Sequence, residues 1–149
     1  MCRLMAVVLL ALVAVGCAAT ESLSLSASAP FVYAAPVEQS LQRVAIVVTI
    51  TNRSDDDLLV NPADFAARDG GNRIYTPNVA ATVAEARLVR YAGQQLGMEG
   101  LLPLSSVTLR KNDVLSGFVV FDVPAGVRPV QLIFRQSDVD HVVELTSSP

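Results

Sequence analysis

Residues 41–52, Leu-Gln-Arg-Val-Ala-Ile-Val-Val-Thr-Ile-Thr-Asn, place the strongest constraint on the fold. Val44, Ile46, Val48 and Ile50 recur at a period of two, which puts four β-branched side chains on one face of an extended strand. The run ends at Asn52-Arg53-Ser54-Asp55-Asp56-Asp57, whose side chains bond their own backbone and favour a turn. Leu58-Leu59-Val60 then restarts as a strand, in a hairpin or a short crossover.

The same alternation of strand and turn signals continues along the chain. A short strand over 64–68 leads into Asp69-Gly70-Gly71-Asn72, where glycine permits a tight turn, and Arg73-Ile74-Tyr75 resumes. A long run over 114–123 places Leu115, Gly117, Val119, Phe121 and Val123 on one face and closes at Pro124-Ala125-Gly126. Residues 130–134 and 139–145 supply two more strands. About seven strands with short turns predict an all-β fold, a two-sheet sandwich, over a helical or parallel α/β arrangement.

One stretch differs. Residues 78–100 are rich in Ala, Val and Leu and predict a helix from about Ala80 to Tyr91 with Asn78 as its cap, although Arg87 to Tyr91 also alternates like a strand. It reads as a long inter-sheet connection with some helix. Long connections in short-looped domains are often functional, which makes 78–100 the expected contact region; a packed crossover that only closes the fold is the alternative.

The amino-terminal end carries an address. Arg3 supplies a positive charge, and Leu4 to Val15 runs twelve residues without a charged or polar group, the length of a signal-peptide core and short of the roughly 20 residues a membrane span needs. The junction Val13-Ala14-Val15-Gly16-Cys17 resembles the lipobox of bacterial lipoproteins, with Ala14 where that motif usually has Leu. The resemblance implies a lipoprotein signal peptide over 1–16 and a lipid-modified Cys17. Two or three acyl chains, at about 0.8 kcal/mol per buried CH₂, hold a small domain at a membrane. Ordinary secretion, with cleavage after Gly16 or Ala19, is the alternative. Residues 17–30, a Ser/Ala tract, read as a flexible tether to a domain over 31–149, unless Leu23 and Leu25 begin an edge strand.

Charge and chemistry narrow the function. The net charge is −3, or −4 once Arg3 departs with the leader, so no basic surface awaits nucleic acid. Both cysteines, Cys2 and Cys17, fall in or beside the leader, and the domain has none for a disulfide. His141 is the sole histidine; Asp138 and Asp140 lie beside it but on the opposite face of an extended strand. Met98 is the one methionine after the leader, too few for a copper site, and Asp55-Asp56-Asp57 lacks the glycine and distal glutamate of a calcium loop. There is no Gly-x-Ser-x-Gly elbow and no phosphate-binding glycine loop. No catalytic, metal or cofactor residue is therefore assigned, although a carboxylate pair works without any motif.

The stretches Val48-Thr49-Ile50-Thr51-Asn52-Arg53-Ser54-Asp55, Asn61-Pro62-Ala63-Asp64-Phe65 and Asp69-Gly70-Gly71 resemble a widespread family of exported bacterial domains of unknown function. The likeness continues through Leu109 to Gly117 and Phe118 to Pro124, with Asn112 where the family often has glycine. It implies an immunoglobulin-like, telokin-like sandwich outside the cytoplasm, with no assigned catalytic residue. The expectation is a lipoprotein on the cell membrane or outer membrane, facing the extracytoplasmic side, that binds an envelope protein or small ligand. A secreted or envelope hydrolase, or a protease-inhibitor module, is the alternative.

Overall fold

The computed structural model describes residues 22–34 and 40–146. Its strands are β1 (Leu23–Ala27), β2 (Phe31–Ala34), β3 (Leu41–Asn52), β4 (Leu58–Val60), β5 (Phe65–Asp69), β6 (Ile74–Tyr75), β7 (Val107–Leu109), β8 (Val114–Pro124), β9 (Pro129–Gln136) and β10 (Val139–Glu144). Two helices, α1 (Val79–Ala84) and α2 (Ala86–Gln95), lie between β6 and β7. All seven expected strands form, and the sandwich is all-β apart from this helical connection. β1, β2 and β7 are additional.

In one sheet β3 is central. β8 pairs along its length, from Leu41↔Pro124 to Thr51↔Val114, while β1 and β2 share its other edge end to end. The second sheet runs β10-β9-β5-β6, and β4 and β7 form a separate ladder. β4 therefore crosses over to β7 instead of returning along β3. Every pairing in these sheets is antiparallel.

Between the sheets lies the main core. Val44, Ile46, Val48 and Ile50 of β3 meet Val119, Phe121 and Val123 of β8 and Phe65, Leu132 and Phe134 of the opposite sheet. The rings of Phe65 and Phe134 stack with centroids 4.9 Å apart, a spacing that favours tilted aromatic pairs.

The tether reading of 17–30 does not hold for its second half. Leu23–Ala27 is strand β1, paired from Leu23↔Asn52 to Ala27↔Val48. Leu23 is buried in the main core and Leu25 packs against it. Serine at the intervening positions 22, 24 and 26 gives the segment a linker's composition, yet the period-two apolar face is that of an edge strand. The domain thus includes Leu23, eight residues ahead of the expected boundary at 31. Cys17 and the leader lie outside the described residues.

β3 and β8 are buried on both faces. Ala45 of β3 and Phe118 and Val120 of β8 point away from the main core into a second one, completed by Phe31, Ala81, Val89 and Leu101. The helices supply this cover, making a third layer on the first sheet. The unbroken apolar run Phe118-Val119-Val120-Phe121 is what a strand covered on both sides requires.

Candidate functional site

The helical connection is stapled to β8 at both ends, and this positions the candidate site. Asn78 caps α1 by accepting from the Ala81 amide at 2.9 Å, and its own amide donates to the Val120 carbonyl at 2.8 Å. Buried Thr82 donates its hydroxyl to the Asn78 carbonyl at 2.9 Å and accepts from the Val120 amide at 3.1 Å. At the far end the Phe118 amide donates to the Leu102 carbonyl, and the Leu104 amide donates to the Phe118 carbonyl, both at 2.9 Å. An edge that would template pairing with another chain is closed by these bonds. Gly117 permits the close approach: a Cβ there would lie 3.1 Å from the Leu102 carbonyl oxygen and the Leu104 Cα.

A half-buried polar clasp locks the helices to the sheet. Arg43 of β3 pairs through Nε with Asp122 Oδ1 at 3.1 Å and through Nη1 with Glu85, the residue joining α1 to α2. Tyr33 of β2 donates its hydroxyl to Glu85 Oε2 at 2.6 Å, and Asn78 Nδ2 donates to Asp122 Oδ2 at 2.7 Å. Both carboxylates are thus committed to neighbours. None of Tyr33, Arg43, Glu85 and Asp122 was legible as a cluster, since they come from β2, β3, the helix junction and β8.

Burial pushes the Tyr33 phenol up to about 12, with Asp122 adding to the rise and Arg43 opposing it. The folded protein therefore favours the neutral phenol. Tyr33 contributes stability that is whole below about pH 10, where the unfolded phenol titrates, and is lost as the pH rises toward 12. Chemical denaturation across this window should show a fall in stability that is smaller in Tyr33→Phe; identical pH profiles would contradict the burial of this phenol.

Beyond the clasp, the outer surface of the helices carries apolar side chains among the exposed Arg87, Arg90, Gln94 and Gln95. Val79, Val83, Leu88, Tyr91 and Leu96 are exposed, Tyr91 at 67% and Leu88 at 52%. The opposite side of α2, with Val89 and Gly93, faces the sheet. Open clefts flank the helices, one of about 500 Å³ over Ile74–Val79 and Asp122 and one of about 300 Å³ between Met98–Leu102 and Gly117, and a further one of about 300 Å³ lies between Pro30, Val32 and Val44 and the turn at Gly126–Pro129.

The remaining sequence candidates are separated by the fold. His141 lies half-buried on β10 with its ring 6.3 Å from that of Phe134, while Asp140 pairs with Arg135 at 2.9 Å and Asp138 sits in the β9–β10 turn. Arg135 holds the Asp140 carboxyl below its ordinary range, chiefly through their hydrogen bond. Asp55 pairs with Lys111 at 2.5 Å. Among the described residues no three of His, Cys, Asp and Glu gather as metal ligands. No described helix is long and apolar enough to cross a membrane.

The family model for a domain of unknown function, DUF4352, matches residues 32–142. The chain belongs to that family. This DUF4352 domain is similar in fold to the secreted protein MPT63 of Mycobacterium tuberculosis, at 17% identity over 82% of each chain with a TM-score of 0.54. It is also similar to the yjhA protein of Bacillus subtilis, at 16% identity over 84% of this chain and 92% of that one, with a TM-score of 0.51. No curated protein matches the sequence. The immunoglobulin-like sandwich expected from the sequence is thus present, and the DUF4352 match spans β2 through most of β10, both helices included.

Proposed function

We propose that this DUF4352 chain is an extracytoplasmic lipoprotein, held at the cell membrane or outer membrane through acylated Cys17, that presents its helical connection as a rigid contact surface. The observation that carries the contact role is the exposure of Val79 and Val83 of α1 and Leu88 and Tyr91 of α2, with Leu96 at its end, on helices anchored by the Arg43 clasp. Apolar side chains held outward on an immobilised element make a surface for contact, because their ordering cost is already met by the fold. The leader ending at Gly16-Cys17 supports export and anchoring, and the likeness in fold to MPT63, a secreted protein, agrees with export.

Replacing Cys17 by alanine tests the anchor. The wild-type chain should fractionate with membranes and the Cys17→Ala chain should lose that association; equal membrane recovery of the two would overturn it. Substitutions on the outer helix surface are the suitable test of the contact role. Removing the helices would instead strip the cover from Phe118 and Val120 and unfold the sheet they protect.

A further inference from the structure

We infer that the outward face of α2 is a bilayer-contacting surface, in which Leu88 and Tyr91 enter the headgroup region of an anionic membrane and Arg87 and Arg90 meet its phosphates. This rests on the anchored reading of Cys17 for its orientation, and on the structure for its chemistry.

Spacing assembles the face. Leu88 and Tyr91 stand three residues apart and Arg87 and Tyr91 four apart, so all three side chains share the side of α2 opposite Val89 and Gly93. Tyr91, exposed at 67%, projects at its centre. An aromatic ring with a polar tip, an aliphatic neighbour and arginines whose stems lie along apolar surface are what the membrane interface accommodates.

Charge selects a membrane over a neutral apolar partner. The chain as a whole is negative, at −3. The two charged residues of α2 are nevertheless both arginines, exposed and in no ion pair among the described residues. The adjacent Glu85 is drawn inward by Arg43 and Tyr33, which removes the nearest negative charge from this face. The helix surface is thus locally cationic on an anionic protein.

Tether length keeps the domain near the bilayer. β1 begins at Leu23, so the five residues between it and position 17 allow a reach of about 20 Å at full extension. A domain so closely held stays within reach of the bilayer, and among its faces the exposed arginines of α2 suit contact with an anionic one.

The test uses residues 18–149, which contain every described strand and helix and lack the thiol, so that no acyl chain can hold the protein to lipid. Flotation with vesicles of phosphatidylcholine containing phosphatidylglycerol should recover the chain, pure phosphatidylcholine should recover much less, and added salt should weaken the binding. Arg87→Gln and Arg90→Gln should each weaken it about fivefold, and Leu88→Gln with Tyr91→Gln about tenfold. Glutamine preserves helix propensity, and unchanged thermal melting would confirm intact folding. Absence of binding to anionic vesicles, or equal binding of the variants, would overturn the assignment. So would a protein, and no lipid, captured by a photocrosslinker at position 91. The acylation state of Cys17 is measured separately by mass, so an unanchored chain that binds vesicles and an anchored chain that does not are distinguishable outcomes.

Discussion

Phe121→Ala should lower the stability of the folded domain by about 3–5 kcal/mol, a large part of the roughly 5–15 kcal/mol that domains of this size possess. Phe121 is fully buried on the inner face of β8, opposite Val44 in the ladder and within the core shared by both sheets. Truncation removes an aromatic side chain from a position enclosed by two sheets, where collapse into the cavity would require strands fixed by eleven registered pairs to shift. Urea denaturation measures the loss as a lowered midpoint with a similar slope. A cost under about 1 kcal/mol would mean that β8 does not occupy the centre of the sandwich.

Asn52→Ala should cost about 2–4 kcal/mol, far more than an alanine substitution at an ordinary strand end. The side chain is fully buried. Its Nδ2 donates to the carbonyls of Asp56 at 2.8 Å and Leu109 at 2.9 Å, and its Oδ1 accepts from the amide of Ser54 at 3.0 Å and the hydroxyl of Ser54 at 2.9 Å. One amide thereby organises the turn after β3 and ties it to β7. Alanine leaves the Leu109 carbonyl without its partner inside the protein, where water is a poor replacement, and frees the turn at Ser54 and Asp56 from β3. Asn52→Asp separates hydrogen bonding from shape. At neutral pH it sets a carboxylate against two carbonyl oxygens, whereas the protonated acid donates to one of them. Burial and the missing donor raise the folded carboxyl above its unfolded value, so the variant should regain stability as the pH falls. A denaturation midpoint for Asn52→Asp that is independent of pH would contradict this arrangement.

The Asn52 example shows why strands were legible in the sequence while part of their surroundings was not. Period-two alternation reports one buried face, and it located β3 and β8 with the correct inward residues. Turn chemistry was equally local: Asp69 accepts from the amides of Gly71 and Arg73 at 2.9 Å each, as the Asp-Gly-Gly-Asn stretch implies. The helix was legible from its cap, for Asn78 sits where the Ala-rich run begins and bonds the amide of Ala81. Asn112, expected to stand in for glycine, adopts a φ of 67°, a left-handed conformation that asparagine tolerates better than most side chains.

What escaped was non-local or masked by composition. β1, which Leu23 and Leu25 offered only as the alternative to a tether, was masked by serines, whose small polar side chains resemble those of a linker while occupying the solvent face of an edge strand. β7 is three residues long, and its partner β4 lies ahead of it across β5, β6 and the whole helical connection. The clasp of Tyr33, Arg43, Glu85 and Asp122 joins residues up to 89 positions apart, so no spacing rule brings them together. One available signal was the four-residue apolar run at 118–121, which announced that β8 needs cover on both faces and that 78–100 must provide it.

The anchored-module account stands on the fate of one thiol. An intact-mass measurement of the mature chain purified from membranes, followed by fragmentation of its amino-terminal peptide, reads that fate directly. The account predicts a first residue of Cys17 carrying diacylglycerol in thioether linkage. A chain that begins beyond Cys17, or begins there with an unmodified thiol, would contradict it.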